Sequence, residues 1–101
     1  EKNSLFLPGA KAPHFNYVGD SILGEKVNLG AGVKISNVRN DGLEIRIRDD
    51  SGEFTLTGLR KFGALIGDGV ELGCNTVTNP GTIISPKLKI NPNSVLKGWI
   101  Q

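Results

Sequence analysis

Aliphatic side chains recur at every sixth position over most of this chain. From residue 66 onward the frame reads Ile66, Leu72, Thr78, Ile84, Ile90 and Leu96, and before residue 38 it reads Leu5, Lys11, Tyr17, Leu23, Leu29 and Ile35. Nine of these twelve positions are Ile, Leu or Val. Those types fill 27 of 101 residues, so chance would place about three there. Glycine follows the aliphatic at 24, 30, 67 and 73, and Val27, Val33, Val70, Thr76 and Thr82 stand four places after a frame position. A helix shows a period of about 3.6 and a half-buried strand a period of 2. A period of six belongs to a parallel β-helix, in which each short strand sends one side chain inward before the chain turns a corner.

Three hexads make one coil, so residues 1–37 predict about two coils and 62–101 about two more, in a mainly β fold forming a single domain over 1–101. Between them the frame slips: Ile35 to Ile66 is 31 residues, one more than a multiple of six. Here Leu43, Ile45 and Ile47 alternate with Glu44, Arg46 and Arg48, and Phe54 and Leu56 alternate with Thr55 and Thr57, with Asp49-Asp50-Ser51-Gly52 between the runs. Alternation on both sides of a turn cluster predicts a β-hairpin, inserted at about 38–60 and projecting from the coils. Its Leu43/Ile45/Ile47 face is expected to be covered, on its own chain or a neighbouring subunit.

Composition narrows the partners. The net charge is +2 from 12 basic and 10 acidic residues, well mixed, with no basic stripe to suggest nucleic acid. No apolar run approaches membrane-spanning length, and no signal-peptide pattern appears, so neither a membrane nor secretion is expected. The single cysteine, Cys74, excludes an intrachain disulfide and suits the cytoplasm. A chain this short buries only about 60–65% of its unfolded surface, and the frame starts at once without a cap. The expectation is a longer coil stack or reliance on partner subunits.

The frame is poorest over 11–22, where Lys11 and Tyr17 make weak core plugs and the only histidine, His14, lies between them. The stretch His14-Phe15-Asn16-Tyr17-Val18-Gly19-Asp20, continuing through Val27-Asn28-Leu29-Gly30-Ala31-Gly32 to Asn37, resembles the acetyltransferase domain of the bifunctional glucosamine-1-phosphate acetyltransferase/N-acetylglucosamine-1-phosphate uridyltransferases. It is also similar to hexapeptide-repeat proteins related to sugar-phosphate nucleotidyltransferases. The likeness covers 1–37 and 61–85, with the spacing from His14 to Asn28 and Asn37 kept without gaps.

The resemblance implies a left-handed parallel β-helix, a homotrimer with active sites between subunits, and acetyl-CoA as co-substrate. It implies His14 as general base with Asn37 beside it as the second catalytic residue. Tyr17, Asn28 and Asn37 would hold an amino sugar, Lys2 and Lys61 its phosphate, and Ala31 and Cys74 would flank the coenzyme arm, with Cys74 where the family commonly has serine. The chemistry asks for these types. Acyl transfer from a thioester needs an unprotonated amine, and an imidazole of pKa near 6.5 can take its proton at neutral pH. Lysines present point charges to a phosphate, amide side chains read hydroxyls and amines, and Gly30 and Gly32 allow backbone N–H groups close to an oxyanion. No metal site is expected, since one histidine cannot supply the three ligands of a β-helical zinc centre within a chain. Two functions share this fold. One is an acyl-CoA-dependent N-acetyltransferase on a glucosamine-1-phosphate-like substrate. The other is a non-catalytic trimerisation or regulatory module of a nucleotidyltransferase-related protein.

Overall fold

A computed structural model describes residues 3–13, 15–49 and 51–101. Among them the regular structure is all strand, mostly in two- and three-residue pieces. β1 (Leu5–Phe6), β3 (Ile22–Leu23), β8 (Ala64–Ile66), β11 (Thr82–Ile84) and β14 (Trp99–Ile100) form one parallel ladder in that order. β2 (Tyr17–Val18), β5 (Lys34–Ile35), β10 (Val77–Thr78) and β13 (Val95–Leu96) form a second. β4 (Asn28–Leu29), β9 (Glu71–Leu72) and β12 (Lys89–Ile90) form a third, extended by a parallel bridge from Lys11 to Asn28. Three parallel ladders visited in turn are the arrangement a β-helix requires.

The strands are short because the chain must turn after each inward side chain. Left-handed backbone marks the turns. Gly9, Lys26, Gly69 and Lys87 have positive φ at one corner, and Phe15, Gly32, Asn75 and Asn93 at the next. Between the ladders the chain buries Leu23, Leu29, Ile35, Ile66, Leu72 and Ile84, with Ile90 partly buried against them. Val27, Val33 and Val70 fill the corners of the same core. Each fully buried Leu or Ile contributes about 1.5–3 kcal/mol by leaving water.

The first coil departs from the six-residue frame. Leu5 pairs with Ile22 and Phe6 with Leu23, a step of 17 rather than 18. The inward residues of this coil are therefore Phe6, Ala12 and Val18, whereas Leu5, Lys11 and Tyr17 face out. What reads as a weak hexad is a sound one shifted by a residue, with the deletion falling between Val18 and Leu23. The last rung, Ile83 to Trp99, is also short. The insertion lies at the same corner: every ladder steps by 43 across it, as at Ile22↔Leu65, Lys34↔Val77 and Asn28↔Glu71. All three irregularities thus occupy the single corner joining the second ladder to the first.

That insertion carries an antiparallel pair, β6 (Ile45–Arg48) with β7 (Phe54–Leu59), bulged between Ile45 and Arg46. Asp49 closes the turn by accepting hydrogen bonds from Ser51 N, Ser51 Oγ and Glu53 N. The expected apolar face is divided. Ile45 is buried and Ile47 half-buried, but Leu43 is 59% exposed. Ile45 is covered because the hairpin folds back onto its own coils at Gly81, where an added Cβ would come within 2.5 Å of the Arg46 carbonyl oxygen.

Candidate functional site

The shortened corner after β2 gathers polar side chains. Tyr17 projects outward from β2, and Asn37 follows β5 one coil further along the same ladder. They converge over Gly19. A Cβ there would lie 2.6 Å from Asn37 Nδ2 and 2.8 Å from the Tyr17 hydroxyl, so glycine alone lets the two approach. Asn37 Nδ2 donates to Asp20 Oδ2 at 2.7 Å, which fixes the amide's orientation. Ser21 staples the turn from beneath: its buried hydroxyl donates to the Gly19 carbonyl at 2.8 Å and accepts from Ala64 N at 3.0 Å.

The chain returning from the hairpin closes the other side. Phe62 N donates to the Asn37 carbonyl and Gly63 N to that of Asp20, both at 2.9 Å, and Lys61 bridges antiparallel to Val38. These contacts leave an open cleft of about 520 Å³ lined by Asp20, Ser21, Leu59, Lys61 and Phe62, with Asn3, Ser4, Leu5 and Ile22 at its rim. Asp20 therefore faces both the Asn37 amide and the cavity that holds Lys61. Beside Tyr17, Asn16 accepts from Val33 N at 3.0 Å, while its buried Nδ2 has no partner.

Asn28, Ala31 and Cys74 lie elsewhere. Asn28 is exposed on the third ladder between Lys11 and Glu71. Ala31 and Cys74 occupy equivalent turns of adjacent coils after that ladder, both exposed, their carbonyls accepting from Asn75 N and Asn93 N at 2.9 Å. The two coils pack closely there, since a Cβ on Gly30 would lie 2.7 Å from Cys74 N. One chain thus carries two clusters: Tyr17, Asn37 and Lys61 at one corner, and Asn28, Ala31 and Cys74 at another. His14 and Lys2 lie outside the described residues, as does Asp50 of the hairpin turn. Phe15 is 92% exposed with φ of 49°, a costly backbone for a bulky side chain and of the kind that gathers at functional sites.

Asp20 is the residue that the sequence pattern does not single out. Its signal is indirect: it has positive φ in the shortened turn, a conformation that Asp tolerates better than most residues. Among the described residues no group of three or more His, Cys, Asp or Glu could hold a metal ion, and no helix is long and apolar enough to cross a membrane.

Parallel ladders of hexads, with polar side chains collected at an irregular corner, define a repeat-built β protein. Comparison with known proteins carries this further. No protein-family profile matches the chain. It is 41% identical over 95 residues to a bifunctional sugar-1-phosphate nucleotidylyltransferase/acetyltransferase of Sulfurisphaera tokodaii, covering 94% of this chain and 23% of that one. It is 33% identical over 100 residues to the bifunctional protein GlmU of Methanococcus aeolicus, covering 99% and 24%, and 35% identical over 102 residues to GlmU of Leifsonia xyli, covering 98% and 21%. The chain is a homologue of these bifunctional sugar-phosphate enzymes over nearly all of its own length, and the match with Sulfurisphaera and Methanococcus proteins runs across the hairpin as well. It spans about a quarter of the length of the relatives it matches.

Proposed function

We propose that this chain is an acetyl-CoA-dependent N-acetyltransferase module for an amino-sugar phosphate such as glucosamine-1-phosphate, acting in the cytoplasm as a homotrimer of left-handed β-helices. The observation that carries the reading is the meeting of Tyr17 and Asn37 over Gly19, beside a cavity holding Asp20 and Lys61. The Sulfurisphaera relative is named as a bifunctional sugar-1-phosphate nucleotidylyltransferase/acetyltransferase, which supports the reading.

In this reading His14 takes the proton of the attacking amine as it adds to the thioester carbonyl, and the C–S bond then breaks to release the coenzyme thiolate, which takes up that proton. Asn37, held by Asp20, orients the amine, and the Tyr17 hydroxyl binds the sugar. Lys61 and Lys2 meet the phosphate as point charges. Acetyl-CoA supplies the activated acetyl group. The exposed strip over Ala31 and Cys74 suits its arm, because neither short side chain obstructs the corner. Gly30 and Gly32 let backbone N–H groups approach the developing oxyanion.

The two clusters lie at different corners of one chain, so the complete site requires a neighbouring subunit to supply Asn28, Ala31 and Cys74 opposite Tyr17, Asn37 and Lys61. Acetyl-CoA consumption with glucosamine-1-phosphate tests the reaction. Replacing His14 by Ala should lower turnover about 10²–10⁴-fold while leaving the trimer intact. An active protein indifferent to that substitution refutes the mechanism. The same split of the site within one chain favours a second reading, a non-catalytic trimerisation module, which absence of both turnover and acetyl-CoA binding would support.

A further inference from the structure

The hairpin builds a second cleft, of about 610 Å³, between itself and the coils. Its floor is the irregular corner at Ser36, Asn79, Pro80 and Gly81, and its walls carry Arg39, Arg46, Arg48 and Lys97. Four cations face one acid. Arg39 is spent on Asp41, at 2.6 Å, and Asp41 also accepts from Leu43 N at 3.0 Å. That backbone bond and the Arg39 guanidinium hold the Asp41 carboxyl below its ordinary range, so this pair stays ionised and neutral as a unit. Among the described residues Arg46, Arg48 and Lys97 have no carboxylate partner.

Their placement is built. Alternation along β6 puts Arg46 and Arg48 on one face, and the bulge at Ile45/Arg46 sets their register against β7. The Arg46 guanidinium lies 3.9 Å from the centroid of the Phe54 ring, and that of Arg48 lies 6.0 Å away. A cation held over an aromatic face loses part of its water and part of its rotamer freedom before any anion arrives. Gly81, buried with positive φ, clamps the hairpin base, and the Arg48 stem runs past Gly98 at van der Waals distance. Guanidinium groups present fork-shaped donors that match phosphate oxygens, and Lys97 adds a point charge.

We propose that this cleft binds an organic phosphate, gripped by Arg46, Arg48 and Lys97 with the hairpin as one jaw. Its volume falls within the range of small-molecule sites, roughly 300–1,000 Å³. The excess charge calls for a ligand with at least two negative charges, whether a sugar phosphate or the nucleotide end of a coenzyme. The assignment stands on binding alone, whatever reaction occurs at the Tyr17–Asn37 end.

Calorimetric titration of the whole chain with inorganic pyrophosphate, adenosine 3′,5′-bisphosphate and glucosamine-1-phosphate tests it. The double variant Arg48→Gln/Lys97→Gln should weaken phosphate binding by at least about tenfold, while Lys89→Gln, at an exposed ion pair on the third ladder, should leave it unchanged. The salt dependence of affinity should fall in the double variant alone. Tighter binding of the bisphosphate than of pyrophosphate identifies a nucleotide ligand, and tighter binding of glucosamine-1-phosphate a sugar phosphate. Equal weakening by Lys89→Gln overturns the proposal, as does failure of either organic phosphate to bind more tightly than pyrophosphate. Absence of any phosphate binding at millimolar concentration overturns it as well.

Discussion

The side-chain amide of Asn37 donates a 2.7 Å hydrogen bond to Asp20 Oδ2, tying together two successive coils at the one corner where the chain drops a residue. A carboxylate acceptor makes this stronger than an amide–amide contact. It also commits one face of the Asn37 amide, leaving Oδ1 to a ligand. Asp20→Gly, which keeps the positive φ accessible, should therefore raise the KM for the proposed amino sugar with little loss of thermal stability, because the pair is only partly buried. Steady-state kinetics beside a melting curve checks this; a large fall in Tm with unchanged KM contradicts it.

Gly19→Ala makes a related but sharper test. The new methyl would meet the ends of two side chains rather than backbone, the Tyr17 hydroxyl and Asn37 Nδ2, and Asn37 would have to give up its bond to Asp20 to make room. Folding should survive while the two polar groups are forced apart, so activity should drop and Tm should hardly move. Gly30→Ala offers the contrast. There the methyl meets backbone, the Cys74 nitrogen at 2.7 Å, and overpacking of that kind costs about 1–3 kcal/mol. Thermal unfolding of the two variants should separate them clearly.

Leu29 and Leu72 pair across the third ladder, and both are buried. Leu29→Ala should cost about 2–5 kcal/mol, since neighbouring coils cannot collapse into the space without breaking their ladders. Tyr17→Ala, also at a position of the six-residue frame but facing outward, should cost much less. Chemical denaturation of both variants distinguishes an inward from an outward position.

This pair shows how much the six-residue pattern reveals and where it stops. The spacing of Leu23, Leu29, Ile35, Ile66, Leu72 and Ile84 is legible because most inward positions are filled by aliphatic side chains, Thr78 being a buried exception. The one-residue deletion after Val18 is not, because it changes phase without changing composition, and both Tyr17 and Val18 are plausible strand residues. Asn37 and Tyr17 stand out through their family likeness, but Asp20 acquires its role only when the shortened turn points it at the next coil. The cleft beside the hairpin is equally hidden. It exists because Ile45 docks at Gly81, a contact between distant segments that no local pattern encodes.

The hairpin turn gives a pH prediction. Hydrogen bonds to Asp49, above all from the Ser51 hydroxyl and then from Glu53 N, lower its pKa from the ordinary carboxylate value. A lowered folded-state pKa means the contribution is present above the unfolded value and is lost as pH falls through the folded one. The turn should hold through neutral and mildly acidic pH and loosen below the ordinary carboxylate range. Amide protection factors at Ser51 and Glu53 should fall there in the wild type, and Asp49→Ala should show the lowered protection already at pH 7.

The proposed division of the site between subunits leads to the most discriminating experiment. Asn37→Ala and Asn28→Ala each remove one side of the proposed cleft, so each homotrimer should be nearly inactive. If one subunit supplies the Asn37 corner and its neighbour the Asn28 ladder, any trimer holding both variants contains one site with both asparagines intact. Random assembly of an equal mixture makes about three quarters of the trimers mixed, each with one of three sites restored, so activity should recover to about a quarter of wild type. Co-refolding the two variants and assaying acetyl-CoA consumption measures this. If both asparagines served a site within one chain, every site would remain damaged and the mixture would be no more active than its parents. Recovery near a quarter would establish that neighbouring subunits share the site, since neither a monomer nor an intrachain site can produce it, and sedimentation of the same mixture would give the number of subunits.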